Sequence, residues 1–315
     1  REEVVKQTKK HLTKESTDLF KGYIDGINTY LKAIPEGRHK DCRDEKWLSA
    51  LTFEDGIRMS IYLSNLAALS NPSLAKSVLK AQPPSNDSSR SYQISNNEAT
   101  LKFYELSPLL GSNAYALGSK STQTGQAILL GNPHYPWHGA RRFYQMHLTI
   151  PGELNVMGAA IFGSPLVSIG FTEKFAWSHT VSNAKRFTLY ELQLSKDNPM
   201  FYEYEGEQRA IETKEINVEV LRGDRVYKET ATIYLSHFGP VIDFSSMINS
   251  KEAFWTNERA FAMRDVAQTN TSITDTSFFI NVASSLDELI EAASKLGLTF
   301  VNTIAVGIEG DAFYG

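Results

Sequence analysis

Chemistry has few places to reside in this chain. A serine at Gly111-Ser112 stands where a polar stretch meets a short strand-like run, Asn113-Ala114-Tyr115-Ala116-Leu117-Gly118. As a turn residue entering a strand, Ser112 needs no further role. Cut between Gly111 and Ser112, the chain instead presents a new N-terminus. Its α-amine, with a pKa of about 7.7 to 8.0, suits a general base toward the serine's own hydroxyl. The small Gly111 lets the scissile bond take a strained turn. Gly111 and Ser112 are therefore the candidate cleavage site, and Ser112 the candidate nucleophile. Of seven histidines, His134, His138, His147 and His179 fall in the strand-rich part. Pro136 breaks any helix that would put His134 and His138 on one face, so a zinc pair is not expected. Cys42 lies between Lys40 and Arg43, which would lower its thiol pKa, but a lone cysteine in a charged loop reads as a surface thiol. A G-x-S-x-G elbow, a phosphate-binding glycine loop, H-E-x-x-H and paired cysteines are all absent from the sequence.

The elements that must position Ser112 follow from pattern. Leu12, Leu19, Phe20, Tyr23, Ile24, Ile27, Tyr30 and Leu31 recur at helical steps, predicting a helix within residues 1–33. A second runs from Thr52 to Ala68, opened by a Thr52–Asp55 capping spacing, and a third starts at Pro72. A Ser/Asn/Pro stretch from Gln82 cannot bury an apolar face and reads as a linker. From Ser112 onward short β-branched and aromatic runs, such as Tyr144–Ile150, Val167–Phe171 and Thr232–Leu235, predict strands. Ser285–Leu296 returns to helical period, and Thr299–Val306 to a strand. The order fits an α+β architecture with 1–81 helical, 82–111 a spacer and 112–315 strand-rich.

Composition bounds the partners. The 315 residues carry 42% hydrophobic and 22% charged residues, with 32 Lys and Arg against 36 Asp and Glu for a net charge of −4. That balance argues against nucleic acid, and no run reaches the roughly 18 apolar residues of a membrane helix. The chain opens on Arg1-Glu2-Glu3 without an initiating Met and ends on a turn with a strand just begun, which reads as a piece of a longer precursor.

Several segments together carry a resemblance. Gly111-Ser112-Asn113-Ala114, Gly131-Asn132-Pro133-His134-Tyr135-Pro136-Trp137, Ile169-Gly170-Phe171-Thr172 and Ala176-Trp177-Ser178-His179-Thr180-Val181-Ser182 stand in order. With them the chain resembles the penicillin acylase family of N-terminal nucleophile hydrolases. Phe20 to Asn28 is similar to a helix near the end of that family's α subunit. Within the family the spacing is nearest the acyl-homoserine lactone and aculeacin-type acylases.

The resemblance implies a four-layer αββα sandwich and a precursor cut into α and β chains that form a heterodimer. It implies an acyl-enzyme mechanism with no metal or organic cofactor, and export to the periplasm. Ser112 falls at the nucleophile, His134 at the histidine beside its amine, and Val181 at the residue whose backbone N–H forms half of the oxyanion hole. Taken alone, His134 fits a structural histidine and Val181 a buried strand residue. Tyr135, Ile161 and Thr180 fall where an acyl pocket is lined, and for Ile161 core packing is an equal reading; Trp177 and Phe187 fit either. Lys185 and Thr188 replace the acidic calcium ligands of the penicillin G acylases, so calcium is not expected. The family's second oxyanion donor, an asparagine, falls after Gly315, so the segment alone is expected to be inactive. The substrate implied is a small amide with an apolar acyl chain, foremost an N-acyl-homoserine lactone, with penicillins, cephalosporins and lipopeptides as alternatives. A non-catalytic relative is the reading from another class.

Overall fold

The computed structural model describes residues 2–33, 48–65, 72–84, 111–139, 141–182, 184, 186–245 and 255–315. Cys42, Lys185 and most of the predicted spacer lie outside them. The chain divides into two compact units, one formed by residues 1–66, 110–182 and 269–315, the other by 67–109 and 183–268.

The first unit holds helices α1 (Glu2–His11), α2 (Lys14–Ala33) and α3 (Phe53–Ser64). The single helix predicted over 1–33 is two, because Thr13 interrupts it: its hydroxyl accepts from Ser16 N–H and donates to Asp275 Oδ1 at 2.9 Å. Such a side chain satisfies a backbone donor that a new helix start leaves open. Thr52 opens α3 with the reciprocal capping box that its spacing predicts.

Strands β1 (Gly111–Leu117), β2 (Ile128–His134), β3 (Phe143–Ile150), β4 (Leu154–Ile161), β5 (Ile169–Phe171) and β6 (Phe175–Val181) follow. The chain returns to this unit after residue 268 with the helices α5 (Ile273–Val282) and α6 (Leu286–Ser294), then β14 (Val301–Gly307) and β15 (Ala312–Tyr314). Six strands form one antiparallel sheet in the order β15-β14-β6-β5-β4-β3.

Alternation along β6 fixes what lies on each face. Phe175 and Trp177, both at most 3% exposed, pack with Ile280, Leu289 and Ala292 of α5 and α6. Ser178 points the other way, against Gly131 of β2. The sheet therefore carries helices on one face and the β1–β2 hairpin on the other. At the centre of the hairpin's inward face the residues are small, with Ala114 across from Gly131. A Cβ at Gly131 would sit 2.7 Å from Ser178 Oγ and 2.8 Å from Ser178 Cβ, so glycine is what allows this approach.

The second unit holds α4 (Pro72–Lys80) and a five-stranded antiparallel sheet in the order β10-β11-β12-β13-β7. Its strands are β7 (Phe187–Gln193), β10 (Glu212–Arg222), β11 (Arg225–Ser236), β12 (Gly239–Ile242) and β13 (Arg259–Asp265); β8 (Phe201–Tyr204) and β9 (Glu207–Ala210) make a separate hairpin. Leu192, Tyr202, Val241, Ala260 and Ala262 are its buried centre.

Candidate functional site

Ser112 is the second residue of β1, held by a ladder in which Gly111 pairs with His134 and Ser112 with Pro133. Residues directly opposite in an antiparallel ladder share a face. Ser112 and Pro133 therefore point inward, where both line one cavity of about 110 Å³ within the first unit. The Ser112 hydroxyl donates to the Gly111 carbonyl oxygen at 2.6 Å, so it rests against the bond proposed for cleavage.

The same cavity is lined by Tyr135, Ile161, Thr180 and Val181, which the sequence placed around Ser112, and by His179, to which it gave no role. Tyr135 packs on Phe143 in a tilted pair with ring centroids 5.3 Å apart, and burial pushes its phenol pKa up against the opposing pull of Arg141. Thr180 Oγ1 accepts from Asn302 Nδ2 at 3.0 Å. Apart from a few hydroxyls and the groups just named, the wall is apolar, with α2 and α3 supplying Phe20, Met59 and Leu63.

Val181 contributes through its backbone. The Ser182 N–H donates to Phe300 O at 3.0 Å, on the β14 side. Successive N–H groups along a strand point to opposite edges, so that of Val181 points away from β14. On that side β5 has already ended, its pairs with β6 being Gly170 with Trp177 and Phe171 with Ala176. The Val181 N–H therefore faces a strand edge that no ladder uses, as an anion-stabilising donor must.

His134 is arranged differently from Ser112. Its side chain shares the outer face of the hairpin with Asn113 and Asn132, whose amide Nδ2 atoms lie 3.4 and 3.3 Å from its Nε2. Both side-chain amides thus converge on one ring nitrogen. The ring is not brought to the Ser112 hydroxyl; His134 meets the Gly111–Ser112 bond through its position across the ladder.

His179 is the residue that motif reading passed over. It sits on β6 across from Thr303 of β14, whose hydroxyl is 3.3 Å from its Nδ1. Desolvation holds its pKa down to about 4, against a smaller opposing effect of the Asn302 backbone. It keeps partial exposure as a lining residue, but the protein packed around the ring dominates, and the imidazole is neutral at ordinary pH. Its signal in the sequence was only its place two residues before Val181.

No group of three or more His, Cys, Asp or Glu able to hold a metal occurs among the described residues. Thr188 pairs across the ladder with Arg264, next to the buried Asp265. No described helix is long and apolar enough to cross a membrane.

Comparison with known proteins places the chain in a family. The penicillin amidase family model matches residues 1–315. The chain belongs to the penicillin amidase family. It is 35% identical over 308 residues to an acyl-homoserine lactone acylase PvdQ of Pseudomonas fluorescens, covering 95% of this chain and 38% of that protein. It is 31% identical over 303 residues to the aculeacin-A acylase of Actinoplanes utahensis, covering 95% and 37%. The chain thus spans well under half the length of these curated relatives. A thermostable penicillin G acylase from Alcaligenes faecalis shares the fold, with a TM-score of 0.52 at 18% identity over 64% of this chain and 34% of that one.

Proposed function

We propose that this chain is the nucleophile-bearing part of an amidohydrolase that removes the acyl chain of N-acyl-homoserine lactones and so quenches a quorum signal. The observation that carries the reading is the convergence of Ser112, the apolar lining from Tyr135, Ile161 and Thr180, and the unladdered Val181 edge on one cavity. The names of the relatives at about 35% identity support the substrate class.

Maturation begins when Ser112 Oγ bonds to the Gly111 carbonyl carbon and the Gly111–Ser112 C–N bond breaks, passing the acyl group to oxygen and freeing the α-amine. Water then cleaves that ester, and two chains of one precursor remain together as a heterodimer. In turnover the α-amine takes the Ser112 proton as Oγ attacks the substrate amide carbonyl. The Val181 N–H receives the oxyanion, the proton passes to the departing amine, and water releases the acid. No step needs a metal or cofactor. The four-layer sandwich belongs to the same reading, supported by the exposed apolar outer face of the hairpin, Tyr115, Leu117, Ile128 and Leu130, which a second helical layer would cover. So does a periplasmic location, which cell fractionation tests.

N-terminal sequencing of the purified full-length protein tests maturation: a chain beginning Ser-Asn-Ala-Tyr-Ala is expected, and an uncut Gly111–Ser112 bond refutes it. Hydrolysis of acyl-homoserine lactones beside penicillins G and V tests the substrate. Lactone release is expected; cleavage of penicillins alone would move the assignment to the β-lactam acylases.

A further inference from the structure

The acyl cavity holds one side chain whose chemistry an alkyl chain cannot use. Among the described residues that line it there is no Asp, Glu, Lys or Arg. Its other polar groups are largely consumed within the wall. Ser60 is bonded to Thr274, Ser164 Oγ to the Leu166 backbone, and Ser168 Oγ accepts from Ile161 N–H. Thr180 accepts from Asn302, and Asn281 is bonded to both backbone groups of Val167. The His179 ring meets Thr303 Oγ1 at 3.3 Å through Nδ1 and is also touched by the Asn302 backbone, with no other side-chain partner among the described residues. A neutral imidazole offers one donor and one acceptor. By the alternation that exposes Val181, the N–H and C=O of His179 also face the edge left by β5.

Polar capacity of the ring and of the backbone thus coincides at one residue, two positions from the oxyanion donor, in a wall that is otherwise dry. A plain alkyl chain lying there leaves these groups without partners, which is costly. A chain carrying an oxygen satisfies them. Resting on the acylase reading above, we propose that His179 is a specificity residue that recognises a keto or hydroxyl oxygen on the acyl chain, so that the site prefers oxygenated over plain acyl groups. The cavity, about 110 Å³, is of the order of one that takes a benzene-sized ligand, about 150 Å³, which makes six-carbon chains suitable probes.

The full-length processed enzyme is assayed on hexanoyl-, 3-oxohexanoyl- and 3-hydroxyhexanoyl-homoserine lactone, as wild type, His179→Phe and His179→Gln. In wild type kcat/KM for an oxygenated chain is expected to exceed that for the plain chain by about tenfold or more, the value of one well-made polar contact. His179→Phe should bring the ratio near one, and His179→Gln, which keeps a donor and an acceptor, should restore part of it. A merely structural histidine would lower all three substrates together, and an unchanged ratio in His179→Phe overturns the proposal. Binding of free 3-hydroxyhexanoate against hexanoate, followed by NMR, separates the two readings. If no lactone is hydrolysed but the hydroxy acid binds preferentially and loses that preference in His179→Phe, the lactone reading falls and the assignment of His179 stands. If lactones are cleaved without preference, only the assignment falls.

Discussion

Replacing Gly131 with alanine tests whether the spacing between the hairpin and the six-stranded sheet sets catalytic geometry. The new Cβ would lie 2.7 Å from Ser178 Oγ and 2.8 Å from Ser178 Cβ, whereas carbon atoms in contact rest about 3.5 to 4.0 Å apart. Ser178 is 2% exposed and belongs to a strand paired along its length with β14, so it has little room to yield. The hairpin must withdraw by about 0.7 to 1.2 Å, the difference between those contact distances. Ser112 rides on that hairpin, while the Val181 N–H stays with β6. A misplacement of about 1 Å can cost about 100-fold in rate, and overpacking of this kind costs about 1–3 kcal/mol of stability. We expect kcat of processed Gly131→Ala to fall by about that factor while the variant stays folded, with kcat from lactone release and Tm measured separately. The rescue is specific. Ser178→Ala in the Gly131→Ala background keeps the Cβ at 2.8 Å and should not restore the rate, whereas Ser178→Gly removes both clashing atoms and should. Full activity of Gly131→Ala, or equal rescue by alanine and glycine at 178, would refute the reasoning.

Other expectations follow from the same geometry. Ser112→Ala precursor should remain one chain on a denaturing gel; efficient cleavage of that variant would sink the autocatalytic step. Val181→Pro removes a backbone donor that no ladder uses, along with one apolar lining side chain, so circular dichroism should be preserved while kcat drops about 100- to 1000-fold. Asn281→Leu strips the Val167 N–H and C=O of their partners, each 2.9 Å away, and two buried unpaired groups at about 1–3 kcal/mol each should lower Tm sharply. His179 has a folded pKa of about 4 against about 6.5 unfolded. Between those values the unfolded chain binds the proton and the folded one does not, so stability falls as pH drops from about 6.5 to 4. The loss is on the order of 3 kcal/mol at about 1.36 kcal/mol per unit, and denaturant unfolding of His179→Gln should show a correspondingly flatter acid limb.

Much of this was legible because it is local. The Thr52 capping box, the start at Pro72, the strand at Tyr144–Ile150 and the helical period from Ser285 each depend on a few neighbouring residues, and the structure forms them near the expected positions. Segments proposed to carry the chemistry, around Ser112, Pro133 and Val181, are contiguous and so could be read as motifs. What stayed hidden depends on residues distant in sequence. Thr13 splits the first helix partly by reaching Asp275, 262 positions away. Helix α5 has no clear apolar stripe because it buries Thr274, Thr276 and Asn281 along with Ile273 and Ile280. The second compact unit joins residues 67–109 to 183–268, a pairing that no composition shift marks. His179 looked like any strand histidine until the ends of β5 and the position of Thr303 were known.

Asn281 closes the edge of the sheet where β5 begins. Its amide reaches from α5 to accept from the Val167 N–H and donate to the Val167 C=O, while the same Nδ2 meets Ser277 O. One side chain thus impersonates a strand of length one for Val167, whose backbone groups stay paired just before β5 begins. That substitution opens the gap where the substrate's carbonyl would rest. It also ties the width of the gap to where a helix happens to lie. Sliding α5 by a fraction of a turn would carry the Val167 loop with it and retune which acyl chains fit, without altering a single residue that touches them.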